Sequence, residues 1–256
     1  MEQKKIGVHP GGIFIVPENI RISDITNLRE AARDDGVRLM VTDKHYRDVE
    51  KDLKKYDVLS KTDLALLREM EVASGFPVNS ISMCDKGLMA GVNIDEGDSF
   101  LTDKRERQVF GIIRPDGFSD MVRMVGLAHA DFFDANGAVH IEHMLEARKN
   151  KICCRDDIME ALVRNGCDIR TAYSIMNSIS RGKGMNETME RNMRDYGLSD
   201  DYVGLCKQIR YLFPRSMIAS YALVNWRMAY YKVKYPNEFK YAITVWKRKK
   251  KGEWKI

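Results

Sequence analysis

GLCKQIRYLFPRSMIASYALVNWRMAYYKVKYPNEFKY, residues 204–241, joins a long amphipathic pattern to charges of almost one sign. Pro214 suits the first turn of a helix, and Ile218, Leu223, Trp226, Ala229, Tyr230 and Val233 recur at helical spacing up to Pro236. That pattern predicts one helix of about six turns. Arg215, Arg227, Lys232 and Lys234 fall between the apolar positions, with Tyr221, Trp226, Tyr230, Tyr231 and Tyr235 alongside. Cations interleaved with aromatic rings suit nucleic acid, whose phosphates take the charge and whose bases stack. The plainer reading makes the aromatics core and the cations a solvated face.

Charge is distributed unevenly. From Lys207 onward there are 13 Lys or Arg against two acids, Glu238 and Glu253, whereas the first 206 residues carry 29 basic and 35 acidic side chains. The formal +5 is thus a −6 body joined to a +11 end, which points to an anionic partner. The run Lys247, Arg248, Lys249, Lys250 and Lys251, between Trp246 and Trp254, reads as a disordered tail or as a phosphate-binding arm. At 256 residues the chain can bury one large core or two small ones. It has no apolar run of about 18 residues that would cross a membrane, and the opening MEQKK lacks the apolar region of a signal peptide. The expected location is the cytoplasm, where the five scattered cysteines stay reduced.

Within the quoted stretch, Phe213, Pro214, Arg215, Ala219, Tyr221, Leu223, Arg227, Ala229, Tyr230, Lys232, Val233 and Pro236 resemble the fingers of the PolC-type bacterial replicative DNA polymerase, the alpha subunit of DNA polymerase III. Met217 stands where that family usually has histidine. The resemblance continues elsewhere. GVHPGGIFIVP, residues 7–17, is similar to the late palm, although by itself it reads as a glycine turn before an edge strand. Lys55, Asp57 and Leu59 fall where the family has its third palm carboxylate, and Ser60 replaces a glycine. FSDMVRMVGLAHA, residues 118–130, is similar to a segment lying by the incoming nucleotide; Phe118, Val122, Gly126, Leu127 and His129 match, whereas Val125 and Ala128 replace serines. CRDDIM, residues 154–159, reproduces a family hexapeptide. The turn Arg181–Gly182–Lys183–Gly184 has the family's cations and glycines, suited equally to phosphate contact and to a solvated helix end.

Local signals fill in the remainder. Thr62 can cap a helix that ends near Ser74–Gly75–Phe76–Pro77. Residues 18–52 read as loop or exposed helix, and 78–117 as irregular, with NIDEGDSFLTDKRERQ a mobile loop. Asp156 is the expected cap of a helix that buries Ile158, Met159, Leu162 and Val163 and stops at Gly166. The next helix is expected to bury Ala172, Ile175, Met176 and Ile179. His129, His140, His143, Cys153 and Cys154 lack the paired spacing of a zinc site.

The expected fold is therefore α+β and mainly α-helical: a fingers-like helical body at 118–246 and a basic tail at 247–256. A small mixed α/β palm remnant at 1–77 and a connecting segment at 78–117 precede them. The resemblance implies phosphate or nucleotide contacts at Lys55, His129, Arg181, Lys183 and Arg215, and DNA contacts at Arg227, Lys232, Lys247, Arg248, Lys249, Lys250 and Lys251. Asp57 is the candidate residual catalytic carboxylate and Mg²⁺ ligand, but the paired carboxylates that two-metal phosphoryl transfer needs are missing. No cofactor is required on this reading, Mg²⁺ at Asp57 being the alternative. Three functions compete: a reduced DNA-binding or replication-protein-binding relative acting as decoy or regulator of a mobile element, one half of a split polymerase completed by a second chain, and a helical interaction module. DNA, replication proteins, a complementary polymerase chain or a second copy are the partners these imply, with no membrane.

Overall fold

The computed structural model describes residues 12–32, 38–57, 63–92, 100–132 and 141–250. The chain divides into two compact units, residues 1–62 and 63–256. In the first, the apolar run after Gly12 forms β1 (Gly12–Ile15), followed by one-turn α1 (Ile22–Ile25), β2 (Leu28–Ala32), β3 (Arg38–Thr42), one-turn α2 (Tyr46–Val49) and β4 (Lys54–Asp57). β1 pairs antiparallel with β4, Gly12 opposite Asp57 and Ile15 opposite Lys54. β2 and β3 form a separate antiparallel pair. That pair corrects the reading of 18–52 as loop or exposed helix. Its strands hide in the sequence because charged residues interrupt their apolar alternation, but Arg29 pairs with Asp43 and buried Thr26 accepts the Lys44 amide through its hydroxyl, fixing the base of the hairpin.

The second unit is helical. Its elements are α3 (Asp63–Ser74), α4 (Lys104–Ile113), α5 (Phe118–His129), β5 (Asp131–Phe132), α6 (Ile141–Lys149), α7 (Arg155–Arg164), α8 (Ile169–Ser180), α9 (Glu187–Asp195), α10 (Asp200–Gln208), β6 (Ile209–Tyr211), α11 (Arg215–Lys234) and α12 (Pro236–Lys250). The fold is α+β and mainly α-helical, with small antiparallel pairs, the last of them β5 with β6. Thr62 lies outside the described residues, and so do Ser60, Leu59, His140 and the 93–99 portion of the expected mobile loop.

α11 is the helix that the two prolines bracket, with Pro214 at its N-cap. Its burial is wider than one stripe, taking in Ile218, Ala222, Val224, Asn225, Trp226, Met228, Ala229 and Tyr231, because α5, α3 and α12 all pack on it. Trp226 and Tyr231 are fully buried, and each polar tip is satisfied. The indole donates to the Ser82 carbonyl at 2.9 Å and the phenol to the Phe76 carbonyl at 2.7 Å, which ties the 76–82 segment to α11.

Residues 78–117 prove less irregular than expected, since they contain α4. Asp103 caps it, accepting from the amides of Arg105 and Glu106 at 2.7 and 3.1 Å. α8 buries Ala172, Ile175, Met176 and Ile179 as the spacing predicts. α7 buries Ile158 and Leu162, but Met159 is half-buried and Val163 exposed. Its cap also differs from expectation. Cys154 occupies the N-cap, and Asp157 reaches back to accept from the Cys153 and Cys154 amides at 2.8 and 2.9 Å. Asp156 is instead taken by the Arg215 amide at 2.7 Å. Finally, α12 runs through Lys250, so Lys247 to Lys250 ride on its last turns instead of opening a tail.

Candidate functional site

Two glycines shape the turn after α8. Gly182 and Gly184 hold φ of 64° and 77°, in the left-handed region where a side chain is strained. A Cβ at Gly182 would also come within 2.6 Å of the Arg210 carbonyl oxygen, so the turn sits directly on β6. The Leu212 amide donates to the Ser180 carbonyl and the Ser178 hydroxyl to the Gly184 carbonyl, at 3.2 and 2.7 Å. The turn is therefore braced on both sides, and Arg181 and Lys183 stand exposed on it with no ion-pair partner among the described residues.

Arg215 is placed differently. Its guanidinium meets Asp157 Oδ1 at 2.7 Å and Glu160 Oε1 at 2.5 Å. Burial alone would push the Asp157 carboxyl up, but hydrogen bonds from the Cys153 amide and thiol, Arg215 and Cys154 outweigh it and hold the carboxyl below the usual range. The Arg215 hydrogen bond also holds the Glu160 carboxyl low. The residue expected to meet phosphate thus spends its charge joining α11 to α7.

His129 likewise faces protein. Its Nε2 lies 2.9 Å from Oε1 of Glu106, whose other oxygen accepts from Asn225 Nδ2 at 2.9 Å. Glu106 is fully buried, and the imidazole ring sits edge-on between Phe213 and Tyr221. Val125 and Ala128, which replace the resembled family's serines, are both fully buried, so this stretch of α5 is core in the present chain. Glu106 and Asn225 escaped the sequence reading. Asp103 followed three positions later by Glu106 is a helix-start signature, and Asn225 is a lone amide within an apolar run.

The remaining candidates divide between bound and open cations. Arg227 is half-buried, with Nη2 3.3 Å from Asn79 Oδ1 and a buried Nε that has no hydrogen-bond partner among the described residues. Lys232 is half-buried and engaged by protein. Lys249 pairs with Glu69 of α3 at 2.7 Å. Lys247 and Arg248 are exposed without ion-pair partners among the described residues. Lys250 closes α12 as backbone only, and Lys251 lies outside the described residues.

In the first unit Lys55 lies 3.8 Å from Glu50 and over the Tyr46 ring, while Asp57 ends β4 with only its backbone described. Among the described residues the metal-donor group is Cys153, Cys154 and Asp157, whose donor atoms lie within 4.8 Å of one another. Two sulfurs do not suit Mg²⁺, a hard cation that takes oxygen ligands. Nor does the site favour a thiolate, because the hydrogen bond with Cys154, burial and the Asp157 charge all push the Cys153 thiol up. His129 is held by Glu106 and His143 rests edge-on against Phe132, so neither histidine joins Cys153 and Cys154.

Comparison with known proteins relates the chain to DNA polymerases by sequence. It matches no family model. Its relatives carry the name DNA polymerase III PolC-type: the protein of Staphylococcus saprophyticus is 32% identical over 91% of this chain, that of Thermotoga petrophila 30% over 93% and that of Mycoplasmopsis pulmonis 28% over 93%. The chain is therefore related to PolC-type DNA polymerase III, while spanning only 18–19% of the length of these relatives. No helix of the described residues is long and apolar enough to cross a membrane.

Proposed function

We propose that this chain is a reduced PolC-related protein that binds DNA through phosphate, without polymerising by itself, as a decoy or regulator of replication. The observation that carries this reading is the braced turn at 181–184, which presents Arg181 and Lys183 exposed and unpaired next to β6. Gly182 is itself the left-handed glycine that ordinarily ends a helix, its amide and that of Lys183 satisfying the Ile179 and Ser178 carbonyls; what supports the reading beyond a solvated helix end is the packing of this turn against β6 and the second left-handed glycine, Gly184. Lys247 and Arg248 supply a second exposed pair on α12.

Fluorescence anisotropy with a labelled DNA duplex across a salt series tests the reading. Four phosphate contacts give a log–log salt slope of about −3.5, at roughly 0.9 per contact. Arg181→Gln with Lys183→Gln should reduce affinity on every sequence and flatten the slope by about 2. Arg215→Gln should leave the slope unchanged. Unaltered binding in the Arg181/Lys183 double variant would remove the reading.

A second reading, half of a split polymerase, is favoured by the first unit. There β1 pairs with β4 alone among the described residues, and Ile13 and Ile15 are about half exposed, at 55% and 52%. A two-stranded pair with an apolar face is marginal unless something covers it. Co-purification of a chain carrying the missing palm carboxylates, with primer extension only by the pair, would support this reading; purification of the chain alone from its native host would count against it.

A further inference from the structure

A cleft of ≈ 780 Å³ opens between α5, the turn after α6, α7 and α11. Its floor is apolar, formed by Phe118, Val122, Leu127, Ile152, Ala161 and Ala219. Tyr202 lines it and is only 7% exposed, yet its hydroxyl is buried with no hydrogen-bond partner among the described residues.

The charges of the cleft are five cations and three acids. Arg123 meets Asp120 at 3.4 Å and Arg164 meets Glu160 at 3.3 Å, while Arg215 is shared between Asp157 and Glu160. Arg148 and Lys151 have no ion-pair partner among the described residues, which leaves the lining positive by two. Lys151 also holds φ at 58°, in the left-handed region. It closes the C-terminal turn of α6, a place that glycine or asparagine fills at lower cost. An L side chain there is strained by about 1 kcal/mol, and such strain collects at binding sites.

An apolar lining and two uncompensated cations together describe one kind of occupant. We propose that this cleft binds an aromatic phosphate ester, whose ring lies on the apolar lining while its phosphate is held by Arg148 and Lys151. The chemistry is common to a nucleoside monophosphate and to a simple aryl phosphate. The proposal is independent of the DNA surface above, because it uses none of Arg181, Lys183, Lys247 or Arg248.

Titration calorimetry of the full chain with AMP, naphthyl phosphate, naphthol and inorganic phosphate tests it. The aromatic phosphates should bind at least about tenfold more tightly than either naphthol or inorganic phosphate, a difference of about 1.4 kcal/mol. Preference for AMP over naphthyl phosphate assigns the nucleotide as the source, and preference for naphthyl phosphate assigns the aryl ester. Arg148→Gln with Lys151→Gln should weaken AMP or naphthyl phosphate about tenfold. Lys151→Gly separates ligand binding from folding, since it should raise the melting temperature by relieving the left-handed strain and still weaken the ligand. Absence of heat with both aromatic phosphates overturns the proposal. So does unchanged affinity in the Arg148/Lys151 variant with native circular dichroism.

Discussion

Arg215 bonds two carboxylates of α7 and, through its amide, a third, so three acids that are adjacent on one helix are satisfied from a single position on α11. Arg215→Gln leaves half-buried Asp157 short of a donor and should cost ~2 kcal/mol in urea denaturation, the range for hydrogen bonds to charged groups. The clamp also sets a pH dependence. Asp157 and Glu160 have depressed folded pKa values, so their contribution is fully present above the unfolded carboxyl range near pH 4 and is lost as pH falls through the folded values. Asp157→Asn should therefore flatten stability below about pH 4 while leaving the curve above pH 5 parallel to that of the parent; an unaltered acid limb would show that Asp157 is not the group being protonated. Glu106 is a different case, because it is fully buried between His129 and Asn225. Glu106→Ala removes the group that His129 and Asn225 bond and should cost about 1–3 kcal/mol.

Helices with regular spacing were legible, and their junctions were not. α8 and α11 could be placed from periodicity and prolines, because burial of one face imposes a pattern that survives in a single sequence. The β2–β3 hairpin and the Cys154 cap could not, since each depends on partners chosen in three dimensions: Asp43 for Arg29, and Asp157 for two amides of the preceding turn. The site residues follow the same rule. Arg215 and His129 stand at matching motif positions, but only the structure shows their charges or hydrogen bonds turned towards protein. Contacts between elements also explain Gly126. A Cβ there would come within 2.4 Å of the Cys153 carbonyl oxygen, so α5 and the turn before α7 touch backbone to backbone. Gly126→Ala cannot be absorbed by a rotamer change and should cost about 1–3 kcal/mol by thermal melting. Melting at the parent temperature would mean that the two elements separate without penalty.

At the scale of the whole chain, two facts pull in opposite directions. Its relatives are named as polymerases, and yet it spans less than a fifth of their length. Phosphoryl transfer by two metal ions needs carboxylates that hold both ions about 4 Å apart and bridge the reacting oxygens. Asp57, at the end of β4, is the one candidate that the resemblance assigns, and the three-donor group among the described residues, Cys153, Cys154 and Asp157, has the wrong chemistry for Mg²⁺. The purified 256-residue chain should bind primed template and leave the primer unextended with dNTPs and either Mg²⁺ or Mn²⁺, as read on a denaturing gel. Extension that persists in Asp57→Ala after purification to a single species would require a carboxylate pair elsewhere in the chain and would sink this expectation. Extension that appears only on adding a second chain, and that Asp57→Ala abolishes, would instead make Asp57 one member of a centre shared between two polypeptides.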